Sequence, residues 1–426
     1  MDEVAGEPID PTLVRRANSH RTLARHYDEI SALLEDGDTM AERLAMETVG
    51  AGAPPIRLIG EHVVPAGMQL DGTIIGGLSG IEYDDRSDRF LLVSDDRSKV
   101  NPARFYTAKI TLSADGIDEV AFESVTFFRR PDGQTYPSID EWAQVQDRYS
   151  AAEAALLGPV DPEELRLDPL TGNLAWSNEG IPAVSTTGSP VLIDPALRFS
   201  APDGSFLRDL PRPEGFGYSD PAGPRPDHGI ESLTFACNGE YIVSALEDPL
   251  KADGPEPTFG AGGLTRITVQ ATDGSVVAQY AYELDPLPDP ADPSSVVPLE
   301  VWGVGNTGIA SLVALDASTS TRFLILERAF VSGFGNRVRI YQVDVTAATD
   351  VRSVPSLAPG AVQPAHKMLL VDLAEVGLSQ VQNSEGMTWG PDLPTGERTL
   401  LLVSDDNFSM NDDNVTQIVA LAVSRQ

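Results

Sequence analysis

A chain of 426 residues, 41% hydrophobic and 22% charged with 37 Gly and 33 Pro, has enough apolar material for a sizeable core, which excludes wholesale disorder. Its apolar runs are short, such as 323–326 and 400–403, and none approaches the roughly 18 to 20 residues of a membrane-spanning helix. With 64 Asp and Glu against 30 Lys and Arg the net charge is −34, which repels nucleic acid and anionic lipid and attracts cations; solubility or adaptation to salt explains the bulk charge equally well.

Residues 1–55 read as an N-terminal helical arm and linker. Asp10-Pro11 is a helix start, and Leu13, Val14, Ala17, Leu23, Ala24, Tyr27, Ile30, Leu33 and Leu34 recur at helical spacing. Gly37 breaks the pattern, and Thr39 with Glu42 has the capping-box spacing of a second helix ending near Met46. The stretch 50–55, Gly-Ala-Gly-Ala-Pro-Pro, is linker-like. Arg15, Arg16, Arg21, Arg25 and Arg43 make this segment basic for so acidic a protein, so the arm docks on the main body by charge or serves oligomerisation. The opening residues show no cationic or apolar secretory region, which predicts either an intracellular protein or one whose leader has been trimmed.

From residue 56 to 426 the pattern is short β segments separated by Gly, Pro and Asp turns, with one helical stretch over 139–157 around Trp142. This predicts an all-β, β-propeller-like domain, and its length suits six or seven blades of four strands. The lone Cys237 permits neither an intramolecular disulfide nor a cysteine zinc site.

A repeat runs through this domain. A strand opening on a small or acidic residue is followed by a turn and a second strand closing on an acid. The interval from strand hydrophobe to closing acid is 14 residues for Ile81 to Asp95, Leu165 to Glu179, Leu233 to Glu247 and Val313 to Glu327, and 18 for Met387 to Asp405. Two strands and a turn of fixed length make a hairpin, so five hairpins are arranged about an axis with long insertions between them. Acids that open one strand and close the next are expected near opposite ends of a hairpin, with one set converging on the channel mouth. Asp95, Asp96, Glu179, Glu231, Glu247, Glu327, Glu385, Asp405 and Asp406 are the candidate metal ligands. A ring of acids is unfavourable unless a cation fills it, and oxygen-only ligands favour Ca²⁺ first and Mg²⁺ second. Otherwise these acids cap turns or pair with Arg97, Arg104 and Arg328.

Several blocks carry a resemblance. They are Gly77-Leu78-Ser79-Gly80-Ile81 with 92–97, Leu-Val-Ser-Asp-Asp-Arg; Ala103-Arg104-Phe105-Tyr106; Ser177-Asn178-Glu179-Gly180; Leu326-Glu327-Arg328-Ala329-Phe330; and 383–391, Asn-Ser-Glu-Gly-Met-Thr-Trp-Gly-Pro, with 402–408. In these blocks the chain resembles the bacterial phytase-like family, also described as "esterase-like activity of phytase". The resemblance implies a β-propeller-like fold, export from the cytoplasm and hydrolysis of phosphate or other esters. Glu231-Ser232-Leu233 departs from an expected Glu-Gly-Leu, which puts the local backbone turn in question, and Ser384 replaces an aliphatic residue.

The chemistry is narrowed by what is missing. No Gly-x-Ser-x-Gly elbow, His-Glu-x-x-His motif, phosphate loop or dinucleotide glycine motif occurs. His228, beside Glu231, is the best histidine for acid–base work; Asp95, Glu179 and Glu385 are the candidate catalytic acids. Arg97, Arg104 and Arg328 are the candidate clamp for a small anionic ester substrate. Asp405-Asp406-Asn407 with Asp412-Asp413-Asn414 forms a second run of oxygen ligands or a solvated loop. Three functions follow: a calcium-dependent hydrolase of phosphate esters, a calcium-dependent carboxylic esterase or lactonase, and a non-catalytic ligand- or protein-binding propeller with structural calcium.

Overall fold

The structure, a computed structural model, describes residues 56–425 apart from 219, 291–295, 297, 299–302 and 411–413. The helices expected in the N-terminal arm, and the acids at 412 and 413, lie outside the described residues.

Five four-stranded antiparallel sheets form the body. Strand β1 (Ile56–Val63) and the small hairpin of β2 (Gln69–Leu70) and β3 (Thr73–Ile74) precede the first complete sheet. Blade I is β4 (Leu78–Asp84), β5 (Arg89–Ser94), β6 (Arg104–Leu112) and β7 (Ile117–Phe127). Blade II takes β8 (Pro162–Leu167) and β9 (Leu174–Asn178), then, after the accessory hairpin β10 (Ile181–Val184) and β11 (Pro190–Ile193), β12 (Ala196–Ser200) and β13 (Phe206–Leu210). Blade III is β14 (Ile230–Ala236), β15 (Tyr241–Leu246), β16 (Leu264–Ala271) and β17 (Val276–Glu283). Blade IV is β18 (Gly305–Ala314), β19 (Arg322–Val331), β20 (Gly335–Asp344) and β21 (His366–Asp372). Blade V is β22 (Ser384–Trp389), β23 (Arg398–Ser404) and β24 (Gln417–Val423), and its outermost strand is β1.

The inner strands β4, β8, β14, β18 and β22 neighbour one another in a closed ring. The molecule is thus a β-propeller of five blades, where the length of the chain had pointed to six or seven. The five hairpins of the repeat are the inner strand pairs of these blades. The surplus length lies in insertions. One holds α1 (Ile139–Ala143) and α2 (Ala151–Leu157), two short helices with capping boxes at Ser138–Glu141 and Ser150–Glu153, where a single helical stretch was expected.

The core is divided into wedges. Blade faces pack pairwise: Phe105 and Trp176 lie between I and II, Leu197 and Leu233 between II and III, Val243 and Phe323 between III and IV, Leu324 and Leu402 between IV and V, and Ile418 and Leu92 between V and I. Strands covered on both faces read as unbroken apolar runs, and β24 is buried along its entire length.

Candidate active site at the propeller axis

Antiparallel pairing puts the start of each inner strand beside the end of the next. Leu78 faces Ser94, Pro162 faces Asn178, Ile230 faces Leu246, and Ser384 faces Ser404. Opening and closing acids therefore share one end of the axis, which corrects the expectation that they sit at opposite ends.

Every inner strand also carries a β-bulge at this end, between Leu78/Gly80, Pro162/Leu165, Ile230/Ser232, Ile309/Ser311 and Ser384/Gly386. A bulge adds a residue to one strand and re-aims its side chain. Here it directs Glu163, Glu231 and Glu385 into a common cavity. The Ser232 departure leaves the bulge intact.

The second ring comes from the neighbouring strands. Ile81, Leu165, Leu233, Leu312 and Met387 pair with Leu92, Trp176, Ser244, Ile325 and Leu402. Three residues beyond those partners stand Asp95, Glu179, Glu247, Arg328 and Asp405, and all five line the cavity. In blade IV the acid's place is thus held by Arg328. Glu327 sits one residue earlier and points to the other face of the sheet. There it accepts hydrogen bonds from Lys367 Nζ at 2.6 Å and the Tyr282 hydroxyl at 2.5 Å.

The cavity measures about 1300 Å³. Beyond the residues that line it, Arg166 bridges the inner strands: its guanidinium donates to the carbonyls of Ile81, Leu312 and Met387 on three other blades and pairs with Glu164 at 2.8 Å. These bonds cross the axis between the blades, and the cavity is termed the cup.

Two arginines reach its acids. Arg97 lies 2.6 Å from Asp161, 3.0 Å from Asp227 and 3.7 Å from Glu179. Arg328 lies 3.3 Å from Glu247, 3.1 Å from Glu385 and 3.2 Å from Asn306. His228 stands behind Glu247, its Nδ1 2.8 Å from the carboxylate.

The predicted residues therefore divide. Asp95, Glu179, Glu231, Glu247, Glu385, Asp405, Arg97 and Arg328 are brought together. Asp96, though at the cup edge, is spent on local structure: it accepts the backbone N–H groups of Lys99, Val100 and Asn101 and pairs with Arg104 at 2.7 Å. Arg104 is fully buried inside blade I, donating to Tyr106 and Ile74, and is not available as a clamp. Asp406 accepts the N–H groups of Gly77 and Phe408. Glu163, Asp161 and Asp227 were missed as site residues. The opening acid of the second repeat is Glu163, so its ring position was readable; Asp161 and Asp227 lie in loops without a repeat signal.

The acids strain against one another. Burial, then the charges of their neighbours, pushes Asp95, Glu163, Glu179, Glu231 and Asp405 well above the usual carboxylate range. Burial also raises Glu385 against the pull of Arg328, and raises Asp161 to about 6 against Arg97. Glu247 is the exception: burial would raise it, but His228 and Arg328 hold it down. Burial disfavours the imidazolium of His228, yet Glu247 outweighs this and lifts it to about 10.

Three carboxylates, Glu179, Glu231 and Glu247, bring one oxygen each within 4.8 Å of one another, and Asp161, Glu163 and Glu179 do the same. All are buried. Crowded oxygen donors, all but Glu247 with raised proton affinity, are a donor set that fits a hard cation.

Fold and site define a five-bladed propeller with an acidic cup at one end of its axis. The chain belongs to the phytase-like family, described as "esterase-like activity of phytase", whose model matches residues 73–408. No curated protein matches it. Among solved structures it is similar to the periplasmic gluconolactonase PpgL of Pseudomonas aeruginosa, at 10% identity over 88% of this chain and 93% of that one, with a TM-score of 0.33. A gluconolactonase from Xanthomonas campestris shows 11% identity over 87% and 98%, TM-score 0.31. The Cps50 (Swd1) propeller domain of Myceliophteria thermophila shows 9% over 85% and 100%, TM-score 0.32. No helix among the described residues is long and apolar enough to cross a membrane.

Proposed function

We propose that the acidic cup is the active site of a divalent-cation-dependent hydrolase of carboxylic esters or lactones. The observation that carries this reading is the convergence of buried Glu179, Glu231 and Glu247, in a chain whose family description is esterase-like. Like charges this close need a proton or a cation among them. Glu179, Glu231 and Glu247 would hold the ion, with Asp161 and Glu163 beside them, and their all-oxygen chemistry suits calcium before magnesium. When bound, such an ion polarises an ester oxygen and makes water more acidic.

The chain's own groups then divide the proton work. Asp95 and Asp405 are both raised, first by burial and then by a neighbouring carboxylate, Asp405 for Asp95 and Glu385 for Asp405. One keeps a proton where an ordinary carboxyl has lost it and donates it to the leaving alkoxide; the other accepts a proton from the attacking water. Arg328 and Asn383 hold Glu385 in place at 3.1 and 2.9 Å. His228 acts through Glu247 as a positioning residue.

The arginines favour a carboxylic ester over a phosphate ester. Each is already engaged by two or three acids, so neither offers a free fork to a phosphate dianion. An acid-rich cup with Phe330, Phe408 and Asn336 on its walls suits a neutral substrate and speaks against nucleic acid. An extracytoplasmic location and the division into an arm over 1–55 and a propeller domain over 56–426 belong to the same proposal.

The test assays chelator-treated full-length protein on neutral carboxylic esters, lactones and phosphate monoesters, before and after calcium is restored. Carboxylic ester turnover should vanish with the chelator and return with calcium. Glu231→Gln should lower it at least about 100-fold with unchanged circular dichroism. Turnover that survives both treatments overturns the cup as the site. Faster turnover of phosphate monoesters overturns the substrate class. Bound calcium without turnover of any ester supports a non-catalytic binding propeller instead.

A further inference from the structure

We infer that the chain carries a second cation site outside the cup, formed by His228, Asp248 and Glu256 and suited to a first-row divalent ion such as zinc. Strand pairing assembles it. Ile230 faces Leu246, so His228, just before β14, comes beside Asp248, just after β15. Glu256 follows in the loop toward β16. Arg225 pins that loop by donating to the carbonyls of Pro249 and, at 2.7 Å, Gly254. One ligand atom from each of His228, Asp248 and Glu256 then lies within 4.8 Å of the others.

Asp248 points to a ligand independently of this proximity. It is 3% exposed, and neither carboxylate oxygen accepts a hydrogen bond. The nearest cationic atoms are His228 Nδ1 at 3.7 Å and Arg225 Nη1 at 4.0 Å, both beyond hydrogen-bond reach. A buried carboxylate without donors is costly, and a shared cation removes the cost.

The chemistry separates this site from the cup. The cup offers oxygen alone. Here an imidazole joins two carboxylates, a set that suits zinc better than calcium. Glu247, 2.8 Å from Nδ1, holds the ring through that nitrogen, as carboxylates do for metal-bound histidines, and leaves Nε2 as the ligand nitrogen. The Glu256 side chain is 56% exposed and provides the route of entry.

The test titrates chelator-treated full-length protein with zinc alone, in saturating calcium, and reads stoichiometry by calorimetry and by metal analysis after desalting. Wild-type protein should bind one zinc that Asp248→Asn loses and that Glu256→Gln binds at least about tenfold more weakly. Wild-type protein that binds no zinc overturns the site, and so does equal affinity in both variants. Glu256 is at the surface, so its variant reports even if Asp248→Asn fails to fold. The calcium dependence of ester turnover is read separately, and its failure leaves this result standing.

Discussion

Arg166 places a positive charge where the inner strands converge. It is 3% exposed and pairs with Glu164, whose other oxygen accepts from the Ser311 hydroxyl at 2.6 Å. Removing one member of a buried, hydrogen-bonded ion pair strands the other and costs about 3–5 kcal/mol, whereas removing both is far milder. Arg166→Met should therefore lose about that much in urea unfolding, and adding Glu164→Gln should restore part of it. An Arg166→Met protein as stable as wild type would refute this bridge between the blades. This residue stood in the second copy of the repeat, but nothing local marks it. Its partners are 85, 146 and 221 residues away, and only the closed ring brings them within reach. Asp95, Glu179, Glu247 and Asp405 were legible for the opposite reason: each closes a hairpin whose length can be counted along the chain.

The hairpins themselves were readable from spacing, and their number gave the blades correctly where total length did not. What spacing could not reveal is the longer turn of blade IV. Leu312 pairs with Ile325 thirteen residues on, where Ile81, Leu165 and Leu233 reach their partners in eleven, so an alignment at equal intervals exchanged Arg328 for Glu327. The bulges also set how closely blades approach. A Cβ on Gly80 would sit 2.6 Å from Glu164 Oε1, 2.7 Å from Val93 Cγ1 and 2.8 Å from the Glu163 carbonyl oxygen. One on Gly386 would meet Gly80 Cα at 2.9 Å, so blades I and V touch backbone to backbone beside the cup. Overpacking of this kind costs about 1–3 kcal/mol. Gly80→Ala should lower the thermal midpoint accordingly, and an unchanged midpoint would show that these strands can spread apart freely.

The whole molecule stores like charge in and around its cup and balances it with protons when no cation is bound. Asp161 is lifted to about 6, Asp248 to about 7 and Glu164 to about 8, burial being the first cause in each. The folded chain thus keeps protons that the unfolded chain releases near pH 4, so stability from these groups falls as pH rises between about 4 and 8. His228, lifted from 6.5 to about 10, adds to the fall above its unfolded value. Glu247, lowered, works the other way, and its contribution is lost as pH falls below the ordinary carboxylate range. The thermal midpoint of metal-free protein should drop from about pH 5 to about pH 8, and calcium should flatten the drop. A midpoint that climbs over this interval would contradict the charge balance of the cup. Another consequence lies at the seam. Blade V is completed by β1, with Ile56 opposite Val423 and Val63 opposite Gln417, so the circle joins the first strand of the propeller to its last. Four blades can assemble while synthesis proceeds, but the clasp must wait for the final strand to emerge, and until then the propeller is an open arc with its acidic cup unformed.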